Sequence, residues 1–458
     1  MLSVTAIALA SVRRFRQHAV QNQRKEPRRQ LHAPKLPRVA DKESRARLIE
    51  PSAMPMSGSW MWVECASQND LVHCSNPCVD GRSNGYGMTK TPEPRAETAH
   101  FDALHGLRGI AAVLVMLGHF TEFTGRRYDL APSGFLAVDL FFLLSGFVIA
   151  HAYDDKFRKG MSFWEFAEIR LLRLYPLYFA AVGLAVIGVG AIVATHGLSS
   201  YSRLDLLASL GFSVLFLPTP PSLSTFPDVL FPLNGPAWSL FYELVANAVF
   251  AALAVRLAAR SLALIVGVAF LALVLLAWQG FVLGGGAHWD DTIAAPARIA
   301  FSFFLGVFLN RYATGKSRDG NLYMPFLLTL CGVLMIFRPV EHVQLYSLAI
   351  IALVWPWLVL VASRLRLSGF WRWIALFSGN ISYALYVLHT PLIRLSNAVV
   401  ESVTGASWKE HGLPFILGTS VVIIAISAFA HYVYDKNIRT VLRQWLSLWR
   451  AREGVTQF

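Results

Sequence analysis

Charged residues are scarce in this chain of 458 residues, where Asp, Glu, Lys and Arg together make up 15 %. Hydrophobic residues make up 55 %, and the mean hydropathy is +0.47. This composition excludes an ordinary soluble domain, in which about a quarter of the residues are charged. The shortage of charge therefore predicts a protein with several segments inside a lipid bilayer.

Cysteine is also rare, and its four residues are Cys65, Cys74, Cys78 and Cys331. No disulfide framework can be read from so few and so unevenly placed thiols. Three of them lie near His73, but the spacing lacks the paired Cys-x-x-Cys units that zinc sites use. We therefore predict no metal site.

Acidic residues are fewer than basic ones, 28 against 41, and the formal net charge is +13. The basic residues lie mostly in short stretches beside apolar runs and in the N-terminal region. This distribution is typical of membrane orientation, so we predict no nucleic-acid partner. Residues 1–100 are basic, contain prolines and lack apolar periodicity, which predicts a disordered extension. Met88 is an alternative translation start within it.

Between residues 101 and 440 the chain consists of apolar runs of roughly 17 to 25 residues, the length of a membrane-crossing helix. We predict an all-α, polytopic helical bundle with ten crossings, at 107–124, 135–153, 174–196, 237–257, 261–279, 294–312, 322–338, 345–363, 374–394 and 414–434. The run at 204–218 is shorter and ends in a proline-rich loop, so we predict a re-entrant or interfacial segment there. With that choice the basic segments, including the tail at 441–458, fall on the cytoplasmic side, and both termini are predicted to be cytoplasmic.

The first span carries two ionisable residues, Arg108 and His119, eleven positions apart. At about 100° and 1.5 Å per residue they share one helix face and lie about 16 Å apart along the axis. Charge inside a membrane is costly and usually faces a partner or a cavity. In the predicted orientation Arg108 lies at the cytoplasmic end and His119 in the outer half.

Other polar residues sort by depth in the same way. Arg170 and Arg173 share a face at the cytoplasmic boundary, although arginines there also serve as topology anchors. Asp139 and Glu243 are predicted in the outer half, at the depth of His119. Ser145 and Gly146 are small residues that indicate close helix packing. Two further sets of positions are of interest: Trp238 and Ser239 beside Glu243, and Tyr383, Tyr386 and His389 near the end of the ninth span. A lone His389 at helical spacing is more often a hydrogen-bonded core residue.

Five ordered segments carry a family resemblance: LHGLRGIAAVLVMLGHF, FLAVDLFFLLSGFVIAHAY, RLLRLYPLYFA, PAWSLFYE and ISYALYVLHTPL. Together they resemble the acyltransferase-3 family of bacterial membrane proteins, which transfer acetyl or other short acyl groups to surface polysaccharides, lipopolysaccharide, Nod factors and some antibiotics. By that resemblance Arg108 and His119 form the family's Arg-x10-His motif, whose histidine is regarded as essential. The remaining matches are Asp139, Ser145, Gly146, Arg170, Arg173, Trp238, Ser239, Glu243, Tyr383, Tyr386 and His389.

The resemblance implies an O-acyltransferase of the bacterial inner membrane that acylates an extracytoplasmic glycan or glycolipid. It implies cytoplasmic acyl-CoA, expected to be acetyl-CoA, as co-substrate, no permanently bound cofactor, and a separate periplasmic transferase as a further partner. Arg108, Arg170 and Arg173 would hold CoA phosphates. His119 would be a general base or a transient nucleophile, oriented by Asp139 or Glu243. One alternative is a secondary transporter that uses the same His, Asp and Glu as a proton relay. A second is a non-enzymatic membrane scaffold, which would explain the packing motifs but not His119.

Overall fold

The computed structural model describes residues 101–124, 129–196, 202–281, 283–312, 315–405 and 408–452. About 78 % of these residues are helical, which confirms the predicted all-α class. The extension at 1–100, with its alternative start at Met88, lies outside the described residues, and so do residues 453–458 of the tail.

Thirteen α-helices follow one another in this part of the chain. They are α1 (Asp102–Phe123), α2 (Leu136–Arg158), α3 (Phe163–His196), α4 (Arg203–Val214), α5 (Ala237–Leu253), α6 (Ala259–Trp278), α7 (Ala294–Tyr312), α8 (Tyr323–Ile336), α9 (Val343–Ala349), α10 (Trp355–Ser363), α11 (Gly369–Thr404), α12 (Trp408–Phe429) and α13 (Lys436–Arg452). Short elements complete the described chain: a 3₁₀ turn at Pro221–Leu223, π-helical turns at Ile350–Val354 and Ala430–Asp435, and two-residue parallel strands β1 (Arg318–Asp319) and β2 (Leu365–Arg366).

Six helical segments among the described residues are long and apolar enough to cross a membrane, so the predicted count of ten crossings is not confirmed. These segments are Asp102–Glu122, Leu136–Arg158, Phe163–Ala191, Ala259–Trp278, Val343–Ser363 and Gly412–Arg450. Two further predicted crossings form apolar helices of only 17 and 14 residues, α5 and α8. The run at 204–218 contains the 12-residue helix α4, whose rise of about 18 Å is shorter than the bilayer core of about 30 Å.

Helices α2 and α7 lie side by side with almost no gap. A Cβ atom added to Gly146 would lie 1.9 Å from the carbonyl oxygen of Phe303, and one added to Gly306 would lie 2.1 Å from that of Leu143. Small residues allow this approach of two backbones. Gly146 therefore has the packing role that the sequence predicts.

Two ion pairs join the same two helices on either side of the glycine crossing. Asp139 pairs with Arg298, and Asp154 pairs with Arg311, with closest N···O distances of 2.6 Å in both cases. Because the residue numbers increase together on α2 and α7, the two helices run in the same direction. The pairs fix the register of α7 against α2.

Helices α1 and α11 also run in the same direction and pack closely. A Cβ atom on Gly379 of α11 would lie 2.5 Å from the Cβ atom of His105 on α1. About three to four turns further along both helices, the rings of His119 and His389 lie 4.7 Å apart. Packing of these two helices therefore brings the two histidines together.

Pro391 lies inside α11, two residues after His389. A proline has no N–H, so the carbonyl one turn earlier loses its helical partner. That carbonyl, of Val387, instead accepts a hydrogen bond from Asn234 Nδ2 at 3.0 Å. The segment before α5 is thereby attached to α11 next to the histidine pair.

Candidate active site

Three arginines from two helices line one pocket with a volume of about 80 Å³. Arg108 lies near the start of α1, and Arg170 and Arg173 lie three residues apart on α3, on one face of that helix. Glu243 also lines this cavity, so its charged groups are three guanidinium groups and one carboxylate. We call it the arginine pocket. Its three arginines are those that the sequence predicts to lie at one end of the bundle.

Glu243 is held inside the arginine pocket, which corrects the expectation that it lies beside His119. Its Oε1 accepts hydrogen bonds from Ser145 Oγ at 2.6 Å and from Arg170 Nη2 at 3.1 Å. A carboxylate at this depth requires a cationic partner, and the arginine on α3 supplies it. Among the described residues, Arg173 has no hydrogen-bond or ion-pair partner of its own.

A second and larger cavity, of about 400 Å³, contains His119. Its wall comes from the end of α1 and from segments at 129–138, 229–238, 284–288 and 386–394. The charged side chains that line it are the carboxylates of Glu122 and Asp129 and the guanidinium of Arg394. We call this cavity the histidine cavity. With its two histidines, His119 and His288, counted as neutral, its formal charge is negative, while that of the arginine pocket is positive.

The His119 imidazole is oriented by a backbone carbonyl and a second histidine. Its Nδ1 lies 2.8 Å from Val115 O, and because a carbonyl can only accept, Nδ1 carries the proton in the neutral ring. Nε2 is then left with a free lone pair. The His389 ring packs against His119 with an interplanar angle of 66°, and its Nδ1 makes the same type of bond, to Leu385 O at 3.0 Å.

His389 is fully buried and hydrogen-bonded, as the sequence favours, and it also touches His119. Its Nε2 is a buried atom with no hydrogen-bond partner among the described residues. The two imidazoles therefore form one unit, in which each Nδ1 is bonded to the carbonyl one turn earlier on its own helix.

Asp139 is engaged by Arg298 and is not free to orient His119. Arg298 Nε and Nη2 donate to the two carboxylate oxygens at 3.2 and 2.6 Å, and both residues are fully buried. Arg298 also donates to Gly285 O at 2.6 Å and to Phe135 O at 3.1 Å. Its guanidinium carbon lies 5.5 Å from the centre of the Trp238 ring, which lines the histidine cavity. The expected orienting role of Asp139 is thus replaced by a structural ion pair.

A thin wall separates the two cavities. Val138 and Tyr386 line both of them. The Tyr386 hydroxyl lies 2.6 Å from Ser239 Oγ, which in turn donates to Pro236 O at 3.0 Å. The Tyr386 hydroxyl also lies 3.5 Å from Pro236 O, so the two hydroxyls and this carbonyl form one hydrogen-bonded group in which either hydroxyl can donate to the other. Tyr383, one turn earlier, lines the arginine pocket and donates to Leu174 O at 2.5 Å.

The loop between α6 and α7 forms part of the wall of the histidine cavity and is held by Asp291. Its Oδ1 accepts from the backbone N–H groups of Gly286 at 2.8 Å and His288 at 3.1 Å, and Gly286 has a φ of +134°, which favours glycine. The Asp291 carboxylate, 3.8 Å from His288 Nδ1, raises the pKa of His288. Burial acts to raise the pKa of Asp291, but hydrogen bonds from His288 and Gly286 outweigh it and the pKa is lowered.

Sequence reasoning missed Arg298, although a signal for it was present. Arg298, near the start of the apolar run at 294–312, is as costly there as Asp139 is inside 135–153, and two opposite charges in separate spans are natural partners. It also missed Thr390, which lines the histidine cavity. No pattern distinguishes one threonine in an apolar helix from another.

Comparison with known proteins gives two kinds of match. The profile of a protein family described as "Acyltransferase domain" matches residues 101–432. A protein of Rhizobium radiobacter named "Protein 2 in picA locus" is 39 % identical over 198 residues, which are 42 % of this chain and 98 % of that protein. The "Exopolysaccharide production protein ExoZ" of Rhizobium meliloti (strain 1021) is 28 % identical over 290 residues, which are 60 % of this chain and 80 % of that protein. No solved structure matches the chain.

Proposed function

Because this chain belongs to the family of the acyltransferase domain and is a membrane acyltransferase, we propose that it moves a short acyl group from cytoplasmic acyl-CoA to a hydroxyl of an extracytoplasmic glycan. One observation carries this proposal. Two cavities of opposite formal charge, one with three arginines and one with His119, share the wall formed by Val138 and Tyr386.

The arginine pocket suits a polyanionic donor. Guanidinium groups bind phosphate oxygens through paired N–H donors. Within the described residues Arg108 and Arg173 form no ion pair with a carboxylate, so both guanidinium groups can bind phosphate. A volume of about 80 Å³ admits a narrow chain or one small anionic group, so the nucleotide of CoA would lie at the mouth. Its pantetheine arm would follow α1 toward His119, about 16 Å further along the helix axis.

The histidine cavity suits an uncharged acceptor that is rich in hydroxyl groups. A volume of about 400 Å³ lies in the range of small-molecule sites, about 300 to 1,000 Å³. Carboxylates such as Glu122 and Asp129 accept hydrogen bonds from sugar hydroxyls. The name of the Rhizobium meliloti relative supports a polysaccharide.

His119 is the proposed base. Its Nε2 lone pair would take the proton of the acceptor hydroxyl as oxygen attacks the thioester carbonyl carbon, and would return that proton to the CoA thiolate. The Val115 carbonyl stabilises the resulting imidazolium through Nδ1–H. This arrangement replaces the carboxylate partner of hydrolytic triads by a carbonyl and a second imidazole.

The proposed orientation puts the arginine pocket on the cytoplasmic side of a bacterial inner membrane, with both termini cytoplasmic. Of the segments that line the histidine cavity, 129–138, 229–238 and 284–288 are then loops or helix starts on the outer side, and 386–394 is the middle part of α11. Arg108 lies within the first two turns of α1, toward the end of that helix away from His119, and Arg170 and Arg173 lie within about the first three turns of α3.

The test compares full-length wild type with His119→Ala in isolated membranes that receive radiolabelled acetyl-CoA, and then measures label in the glycan fraction. His119→Ala is expected to lower transfer by about 10²- to 10⁴-fold, the range for loss of a general base. The matched control is His151→Ala, an exposed histidine on α2 outside both cavities. Wild-type transfer by His119→Ala would refute the proposal, and loss of solute uptake in that same variant would favour the transporter alternative.

A further inference from the structure

Thr390 is a buried threonine that faces the histidine cavity. It follows His389 on α11, and 2 % of its surface is exposed. Its Oγ1 has no hydrogen-bond partner among the described residues. Buried hydroxyl groups are nearly always bonded, so each exception requires an explanation.

The usual local solution is not used at this position. A threonine inside a helix commonly donates to the carbonyl one turn earlier. Ser382, Ser378 and Thr404 on the same helix do donate to carbonyls of preceding residues, at 2.6 to 2.8 Å. Thr390 makes no such bond in the described structure, so its proton remains available to a bound molecule.

Other hydroxyls of the histidine cavity are already engaged. Tyr386 is bonded to Ser239, and Thr121 donates to Asp129 Oδ1 at 3.3 Å. Three hydroxyl side chains line this cavity within the described chain, and Thr390 is the one whose hydroxyl makes no hydrogen bond.

The position of Thr390 relates it to the reacting groups. The preceding residue, His389, contacts the His119 ring at 4.7 Å, and His119 and Thr390 line the same cavity. The Thr390 hydroxyl, a hydrogen-bond donor without a partner, and His119, a base with a free lone pair, therefore line the same cavity. That combination is what acyl transfer requires, because negative charge develops on the carbonyl oxygen while a proton leaves the nucleophile.

We propose that the Thr390 hydroxyl donates a hydrogen bond to the acyl carbonyl oxygen during transfer, which makes Thr390 a catalytic residue. This inference rests on the proposed function. The acceptor oxygen bonds to the carbonyl carbon, its proton passes to His119 Nε2, and the C=O π pair moves onto the oxygen that Thr390 contacts. The C–S bond then breaks as that pair returns, and the CoA thiolate takes the proton from His119.

The experiment measures transfer from acetyl-CoA to the glycan fraction of isolated membranes, with full-length Thr390→Val and Thr390→Ser. Valine keeps the shape of threonine without its hydroxyl, and serine keeps the hydroxyl. Loss of one such donor typically lowers kcat by about 10²- to 10³-fold, so this loss is expected for Thr390→Val. The KM for acetyl-CoA is expected to stay within about twofold, and Thr390→Ser is expected to retain a rate within about tenfold of wild type.

The matched control is Thr404→Val, the same change on an exposed turn of α11. Its rate is expected to equal that of wild type. A wild-type rate for Thr390→Val, a loss in Thr390→Ser as large as in Thr390→Val, or a change confined to KM would overturn the inference. Transfer that is absent in the wild-type membranes would instead refute the proposed function, so the two failures are distinguishable.

Discussion

At the scale of single residues, the two arginines that α3 contributes to the arginine pocket differ in whether they have an ion-pair partner, and mutation can exploit this difference. Arg170 is bonded to Glu243, so its removal leaves a carboxylate in the protein interior without a partner. Arg173 lines the same pocket without a partner among the described residues. Replacement of Arg173 therefore changes what the pocket binds with little cost to its structure.

Arg173→Ala is expected to raise the KM for acyl-CoA about tenfold, since a charge-assisted hydrogen bond contributes about 1.5 to 3 kcal/mol. The rate at saturating acyl-CoA is expected to stay near that of wild type. Steady-state kinetics on isolated membranes measures both. Arg158→Ala, which removes an exposed arginine paired with Asp155, is the control. An unchanged KM in Arg173→Ala would count against the donor site.

At the same scale, sequence reasoning succeeded where a role depends on one helix and failed where it depends on a distant partner. Arg108 and His119 share a face because of helical geometry alone, and they line the arginine pocket and the histidine cavity as expected. Glu243 was predicted at the depth of His119, but its actual partners, Ser145 and Arg170, are 98 and 73 residues away in the chain. Hydropathy contains no information about such pairings.

At the scale of elements, α2 and α7 form a pair whose stability depends on two ion pairs and one glycine crossing. Asp139 and Arg298 are fully buried, and a buried pair that loses one member leaves an uncompensated charge. The pair joins α2, α7 and the loop before α7. Its integrity therefore determines whether that wall of the histidine cavity forms.

Arg298→Leu is expected to destabilise the protein by about 3 to 5 kcal/mol, and the double variant Asp139→Leu/Arg298→Leu by clearly less, because it leaves no buried charge. Recovery is partial, since Gly285 O and Phe135 O lose their donor in both variants. The unfolding midpoints of wild type, the single variant and the double variant, measured by thermal unfolding in detergent, test this order of stabilities. An exposed pair is worth about 0 to 1 kcal/mol, so Arg158→Leu serves as reference. Equal midpoints for the single and double variants would contradict this account.

Helix boundaries mark the limit of prediction at this scale. Apolar runs predicted crossings of similar length at 322–338, 345–363 and 374–394. The second of these forms a candidate span, Val343–Ser363, with a π-helical turn inside it. The other two positions instead form a 14-residue α8 and a 36-residue α11. Helix length is decided by capping, by proline positions and by packing against neighbours, and hydropathy averages over all three.

At the scale of the whole molecule, the fold class could be predicted from composition, because a chain with so little charge must bury its backbone in helices inside a membrane. The number of crossings could not. Charged side chains such as Arg298 and Arg311 lower the mean hydropathy of a helix that packs among other helices. A helix such as α7 can then be long enough to cross a membrane without being apolar enough to be recognised as a span.

The orientation of the whole bundle predicts where reporters become active. A reporter that functions only outside the cytoplasm is expected to be silent when fused after Thr440 and active when fused after Trp289, which follows the loop residues that line the histidine cavity. A fusion after Lys159, between α2 and α3, is the silent control. Activity after both Lys159 and Thr440 would reverse the assignment of the two cavities to the two sides of the membrane, and activity after Thr440 alone would mean that the run at 204–218 crosses it.

The shared wall of Val138 and Tyr386 also has an electrical consequence. Under the proposed orientation it lies between a cavity of the cytoplasmic side and a cavity of the outer side, so part of the transmembrane voltage falls across it. Moving one elementary charge through 100 mV involves about 2.3 kcal/mol. A thioester is neutral, so it can move across the wall without electrical work. The phosphates of its carrier are charged, so their movement across the wall requires electrical work. The voltage thus adds to the arginines in deciding how far the donor enters.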